Sequence, residues 1–249
     1  MITNKKFLSW VMIFLLFFSY LTTAGFIFQK FILKFFSQNN AYLLLSPESV
    51  IANDIAINFS EKLKVGFWEN ISLIPEQGYS INVSILAIFY FILGVNPYTN
   101  IIINSFFYSL SVLLLLNIFL KISSNSIWAK KSAFICSIIF LIWPSSLFLI
   151  SQINEDFIST FSFLLLIFSS IYLYRSDKLS SIFLYFLLSF LALIFMYSVR
   201  DHFLQIQFII CFIILMMLLS RFLFLKFSLK LNYFVSILFI IFSLIYISV

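Results

Sequence analysis

The sequence SPESVIANDIAINFSEKLKVG, residues 46–66, is the centre of the one long stretch of this chain that a membrane would leave in water. Its start is typical of a helix, because a capping hydroxyl, a proline at the first helical position and the carboxylate of Glu48 all suit the positive end of the helix dipole. Gly66 is a natural stop. Apolar residues recur in between at four-residue spacing: Ile51, Ile55, Phe59 and Leu63. The pattern predicts an amphipathic helix that lies on the membrane surface.

The stretch around this helix, residues 37–80, is far more acidic than the rest of the chain. It holds five of the nine carboxylates, which are Glu48, Asp54, Glu61, Glu69 and Glu76. Phe, Ile and Leu dominate the sequence on both sides of it. We therefore expect a large extracytoplasmic loop, placed between a first transmembrane helix at residues 7–28 and a helical bundle at residues 81–249 of a single membrane domain.

The composition as a whole requires lipid as the solvent. Of the 249 residues 63% are hydrophobic and 10% are charged, with a mean hydropathy of +1.13, whereas a soluble domain carries about 25% charged residues. The net charge of +6 is scattered and forms no basic face, so a nucleic-acid partner is excluded. With a single histidine, His202, a zinc site of the usual His/Cys kind is not expected.

Apolar runs long enough to span a bilayer predict an all-α polytopic protein with about seven or eight transmembrane helices. After the first helix these runs are residues 98–120, 132–150, 157–174, 180–197, 203–220 and 231–249. Lysine and arginine clusters place the N-terminus in the cytoplasm, and eight of the nine carboxylates then fall outside. Parity allows one crossing between Ser80 and Lys121, so the short run at residues 81–93 is predicted to be a re-entrant or surface helix.

Three polar clusters meet on the predicted outer face, in a chain otherwise poor in charge. They are Asp54 with its neighbours, Asn154-Glu155-Asp156, and Arg200-Asp201-His202. Asp54, Asn58 and Glu61 follow the i, i+4, i+7 spacing of one helix face. A carboxylate that acts as a base needs a neighbouring charge to tune it, and an anionic substrate needs an arginine. Together the clusters predict a site.

The order of these clusters resembles the GT-C membrane glycosyltransferases, the superfamily of the protein O-mannosyltransferases and the lipid A aminoarabinose transferase. Residues 53–66 are similar to the acidic helix of their first outer loop, with Asp54 at the acidic position and Asn58 where tyrosine is common. Residues 93–104, with Gly94, Asn96 and Pro97, are similar to the turn before the next helix. Glu155-Asp156 and Arg200 resemble a second acidic position and an outer arginine. The resemblance covers roughly residues 1–220 and departs from the family where its zinc-binding histidine has no matched counterpart.

This resemblance implies transfer of a sugar from a polyprenyl-phosphate carrier to an envelope glycan, lipid or protein at the outer face of a bacterial inner membrane. Asp54 is then the expected base, Glu155 and Asp156 orient the acceptor or donor, and Arg200 neutralises the departing phosphate. The remaining residues expected to bind substrate are Glu48, Asn58, Glu61, Glu76 and His202. No cofactor is implied by a clear ligand motif, and a divalent metal stays open.

The sequence leaves two other functional classes open. One is a non-catalytic polytopic protein, for example a truncated or remnant family member, whose outer carboxylates are only solvated. The other is a lipid or small-molecule transporter, which would require charged or broken helices at the middle of the membrane. The polar residues cluster at the ends of the apolar runs, which counts against transport.

Overall fold

The computed structural model describes residues 4–33, 47–66, 81–123, 126–176 and 179–199, together with positions 209 and 212. Within those ranges all regular secondary structure is helical, as predicted, and no strand occurs in them. The helices are α1 (Asn4–Ile27), α2 (Pro47–Val65), α3 (Ile81–Leu93), α4 (Thr99–Ile122), α5 (Ile127–Leu141), α6 (Pro144–Ile150), α7 (Asp156–Arg175) and α8 (Leu179–Val199).

Four of these helical segments are long and apolar enough to cross a membrane, which agrees with an integral membrane protein. They are Leu8–Ile32, Thr99–Ile122, Asp156–Arg175 and Ser180–Val199, and α5 with α6 makes a fifth if the pair is one span. Large apolar side chains on α1 and α8 point outward, as lipid-facing residues do. The predicted spans at 203–220 and 231–249 lie outside the described residues, so the total of seven or eight stays a prediction.

The predicted span at residues 132–150 consists of two helices, α5 and α6, with a bend of 49° between them. Pro144 begins α6 and has no N–H to donate to the carbonyl of Phe140. It also moves the preceding residue, Trp143, out of the helical region, to ψ 125°. The Tyr108 hydroxyl from α4 donates to the Phe140 carbonyl in place of the missing amide and lies 2.9 Å from the Ser146 Oγ.

Helix α3 is too short to cross a bilayer. Its 13 residues span about 20 Å, against a hydrocarbon core of about 30 Å. Gly94 ends it with a positive φ of 86°, a conformation that glycine adopts without a steric penalty. The short length agrees with the predicted re-entrant or surface helix, whose position in the membrane stays a prediction.

Helices α2 and α3 pack extensively against each other. The helix predicted from SPE is present, and its four apolar residues differ in exposure: Leu63 is buried, Ile55 and Phe59 are partly buried against the cluster that α2 forms with α3, and Ile51 is 54% exposed. The other buried residues of α2 are small or polar: Ser49, Asn53, Ala56 and Ser60. Small side chains let the backbone of α2 approach Val83, Ala87 and Tyr90, so contact with α3, rather than hydrophobicity, decides which face turns inward.

A second group of contacts holds α1 against α4 and α6. A Cβ at Gly25 would lie 2.8 Å from the Cγ2 atoms of both Ile101 and Ile150, so only glycine allows this approach. The residues that follow α1 form a π-helical turn, Phe28–Ile32, in which Gln29 is buried. Nothing in the sequence predicted this turn.

The chain divides into two compact units, residues 1–161 and residues 162–249. The first contains α1 to α6 and the start of α7. In the second, the Tyr185 ring of α8 packs on Tyr172 of α7 at 5.0 Å between centroids, and the Ser189 hydroxyl bonds the Ser169 hydroxyl at 2.8 Å. The predicted extracytoplasmic loop, residues 37–80, is described only over residues 47–66, and its side of the membrane stays a prediction.

Candidate functional site

The connection between α6 and α7 is a buried turn of irregular backbone. Ser151, Gln152 and Ile153 are all at most 4% exposed. Backbone N–H and C=O groups that are not paired within a helix need other hydrogen-bond partners inside a membrane protein. Neither lipid chains nor apolar side chains supply any. The partners of this turn come from three different helices.

Two asparagines of α4 hold the first half of the turn. The Asn100 Nδ2 donates to the Gln152 carbonyl at 2.6 Å, and the Asn104 Nδ2 donates to the carbonyls of Gln152 and Ile150 at 2.8 and 3.1 Å. The two residues are four apart, so their side chains leave the same face of α4. Both are fully buried, which makes these bonds costly to lose.

Side chains of α2 and α3 hold the second half. The Ser49 hydroxyl donates to the Ile153 carbonyl at 3.0 Å, and the Asn82 Nδ2 donates to the carbonyl of Asn154. Four carbonyl oxygens of the turn therefore accept five hydrogen bonds from four buried side chains on three helices. We call Ser49, Asn82, Asn100 and Asn104 the amide frame.

The turn ends in the acidic pair Glu155-Asp156. The Asn154 side chain bonds the backbone on both sides of it in the chain. Its Nδ2 donates to the Leu149 carbonyl at 3.1 Å, and its Oδ1 accepts from the Asp156 N–H at 3.1 Å. The Ser159 N–H donates to Glu155 O, which starts the α7 ladder. Both carboxylates are partly exposed, at the positive end of a helix where negative charge is stabilised. The amide frame therefore fixes the backbone that carries two partly exposed carboxylates.

The predicted site residues of α2 are not the ones that bond the turn. Glu48, Asp54, Asn58 and Glu61 are all exposed, and the last three share one face, as their spacing indicated. Ser49 is the residue of α2 that bonds the turn, and Asp54 lies five positions later, about 140° around the helix axis. Asp54 is thus exposed on a different side of α2 from Ser49, and its role as a base stays a prediction.

Glu76, Arg200 and His202 lie outside the described residues. Their predicted meeting with Glu155 and Asp156 is untested, and so are their roles in binding substrate. In the ranges that the structure does describe, no group of three or more His, Cys, Asp and Glu side chains could hold a metal ion.

The amide frame itself was missed by reasoning from the sequence. Asn100 and Asn104 were noted only as part of a polar stretch similar to the family turn, and Ser49 and Asn82 were not singled out. The available indication was the i, i+4 pair of asparagines inside an otherwise apolar helix, since a buried amide without a partner is too costly to be placed there by chance.

Comparison with known proteins identifies no relative. The chain matches no protein-family model, no curated protein and no solved structure. The arrangement at the turn, a preformed backbone bearing two carboxylates at the start of a helix, is able to accept a proton and to orient hydroxyl groups.

Proposed function

We propose that the chain is a GT-C-type glycosyltransferase of the bacterial inner membrane, with its N-terminus in the cytoplasm and seven or eight spans. It transfers a sugar from a polyprenyl-phosphate carrier to an envelope glycan, lipid or protein at the outer face. One observation carries the proposal: Glu155 and Asp156 follow a turn that three helices hold through five hydrogen bonds. Catalytic groups require this kind of support, because small misplacements reduce rates strongly.

The proposed reaction needs one proton acceptor. The acceptor hydroxyl oxygen forms the new bond to the sugar C1, the bond from C1 to the carrier phosphate oxygen breaks, and polyprenyl phosphate leaves with the electron pair. The hydroxyl proton passes to a carboxylate of the acidic pair. Arg200 is the expected partner of the phosphate, a role that follows from the resemblance. We assign the base to this pair rather than to Asp54, because Asp54 is exposed and lies about 140° around α2 from Ser49, the residue that bonds the turn.

The test uses the full chain in proteoliposomes with polyprenyl-phosphate-linked hexose and pentose, radiolabelled in the lipid, and a membrane extract as the acceptor. The readout is release of free polyprenyl phosphate, which reports bond cleavage whatever the acceptor. Glu155→Gln or Asp156→Asn should lower release at least about 100-fold, the usual contribution of a general base. Asp54→Asn, which removes the same charge from an exposed site, should leave it unchanged.

Two results would overturn this assignment. If Asp54→Asn lowers release as strongly as Glu155→Gln and Asp156→Asn, the base is not confined to the supported turn. If no donor releases polyprenyl phosphate above protein-free vesicles, the chain is not a transferase of this class, and transport and a non-catalytic polytopic protein remain as the alternatives.

Transport of a lipid-linked substrate is the second candidate, because the structure contains features that the sequence did not indicate. Helices α5 and α6 form a bent pair, α1 contains a π-helical turn, and α4 buries a series of polar side chains. The Oδ1 atoms of Asn82, Asn100 and Asn104 have no hydrogen-bond partner among the described residues. Interrupted helices beside buried polar groups are typical of transporters.

The same vesicles separate the two candidates. A transporter moves the labelled carrier between leaflets without cleaving the bond between sugar and phosphate, so flux would appear with no release of polyprenyl phosphate. A transferase gives release that depends on Glu155 or Asp156.

A further inference from the structure

The first two turns of α5 present a groove on the outside of the helix. It has a volume of about 390 Å³ and is lined by Ile127, Lys130, Lys131, Phe134 and Ile135. The spacing of three and four residues places all of them on one helix face. We call this surface the α5 groove.

The α5 groove is apolar for most of its length. Ile127 is 72% exposed and Ile135 is 56% exposed, and the Phe134 ring lies between them in sequence and is exposed as well. In a helix that enters a bilayer, an outward apolar face of this kind contacts lipid chains, because no polar solvent competes for it.

The charged groups of the groove lie near the start of the helix, one turn before Phe134 and Ile135. Lys130 and Lys131 are both exposed. The Lys131 Nζ lies 5.5 Å from the centroid of the Trp128 ring, which is itself exposed. Trp and Lys side chains with this exposure are found at the level of lipid headgroups, where the ring is half apolar and the ammonium reaches the phosphates.

We propose that the α5 groove binds an anionic phospholipid. The headgroup phosphate lies against the ammonium groups of Lys130 and Lys131, and one acyl chain runs along Phe134 and Ile135. Charge complementarity carries the choice of occupant: two adjacent cations with no carboxylate of the described residues paired to them favour a lipid with net negative charge over a zwitterionic one. This site is separate from the amide frame and does not depend on the proposed glycosyl transfer.

The experiment measures lipids retained by the purified full chain in native mass spectrometry, after exchange into micelles that contain equal amounts of phosphatidylglycerol and phosphatidylcholine. The test variant is Lys130→Gln/Lys131→Gln. The matched control is Lys62→Gln/Lys64→Gln, which removes the same charge from exposed lysines of α2. Circular dichroism of each variant checks that the helical content is kept.

The parent protein and the α2 control should retain phosphatidylglycerol at a fixed ratio of lipid to protein. The groove variant should bind it about 30-fold more weakly, as expected for two lysines near a lipid surface. Lys130→Arg/Lys131→Arg should restore retention, since the charge is kept. A second variant, Phe134→Ser, should weaken retention of the lipid while leaving both charges in place.

Three outcomes would overturn the proposal. Equal retention of phosphatidylcholine and phosphatidylglycerol by the parent would show that the groove does not select lipids by headgroup charge. Equal losses in the two lysine pairs would show that total charge rather than the groove decides binding. Preferential retention of added polyprenyl phosphate over phosphatidylglycerol would assign the groove to a different lipid.

Discussion

The polar residues of α2 and those around the turn at residues 150–154 differ in what surrounds them. On α2, Asp54, Asn58 and Glu61 point outward and are exposed. At the turn, Asn82, Asn100 and Asn104 are at most 1% exposed, and each donates to a backbone carbonyl. The first set contributes charge to a surface, and the second shapes the backbone. A polar side chain in an apolar chain is therefore informative only when its burial is known.

The difference also changes where a catalytic group should be sought. A solvated carboxylate on a helix surface has freedom of rotamer and no supporting contacts, whereas the acidic pair Glu155-Asp156 follows backbone that other helices hold in place. Preorganisation of this kind is a requirement of most active sites. The three experiments below test the contrast between buried polar side chains that hold backbone and the exposed face of α2, in order of expected effect.

Removing the amides of α4 should have the largest effect. In Asn100→Ala/Asn104→Ala the carbonyls of Ile150 and Gln152 lose their side-chain donors, and buried carbonyls without partners cost about 1–3 kcal/mol each. We expect the free energy of unfolding in detergent micelles to fall by about 2–4 kcal/mol. Asn58→Ala, an exposed asparagine on α2, is the matched control and should change it little. Equal effects in both variants would remove the distinction between the two regions.

Tyr108→Phe should have an intermediate effect, because it leaves the Phe140 carbonyl without a donor at the bend before Pro144. A loss of about 1–3 kcal/mol in the free energy of unfolding is expected. In a Pro144→Ala background the new N–H can bond the Phe140 carbonyl, so the same tyrosine substitution should cost less there. A double-mutant cycle measures this difference. An unchanged cost would show that Tyr108 contributes by packing rather than by replacing the missing amide.

Neutralising the exposed carboxylates of α2 should have the smallest effect on stability. Asp54→Asn and Glu61→Gln change side chains that are exposed, and such substitutions usually alter the free energy of unfolding by no more than about 0.5 kcal/mol. Denaturant unfolding of both variants beside the parent checks this. A loss above 1.5 kcal/mol (on the order of the buried substitutions) would show that this face of α2 is a packed interface.

Most of the fold class could be predicted because hydropathy is a local property. The first helix, the short helix at residues 81–93 and the apolar spans at α4, α7 and α8 all follow from runs of Phe, Ile and Leu whose lengths match or miss the bilayer. The start of α2 was predicted from Pro47 and Glu48. Pro144 lies near the end of the predicted span at residues 132–150, yet a proline permits either a kink or a stop, so the bend was not predicted.

The inward face of α2 and the amide frame could not be predicted in the same way. The apolar spacing of Ile51, Ile55, Phe59 and Leu63 predicted one apolar face, but apart from Leu63 the fully buried residues of α2 are small or polar, because the close approach of two backbones selects them. Likewise, Glu155 and Asp156 were predicted as site residues, whereas the side chains that hold their backbone were not.

By itself, the sequence determined that this protein is helical and that its solvent is lipid, because both follow from composition and from the length of apolar runs. It also placed carboxylates at the beginnings of α2 and α7. Only the tertiary structure decided which polar groups are solvated and which hold backbone, since Ser49 and Ile153 are 104 positions apart and meet only after the helices pack. Hydrogen bonds between distant segments depend on that packing, and no local pattern records it.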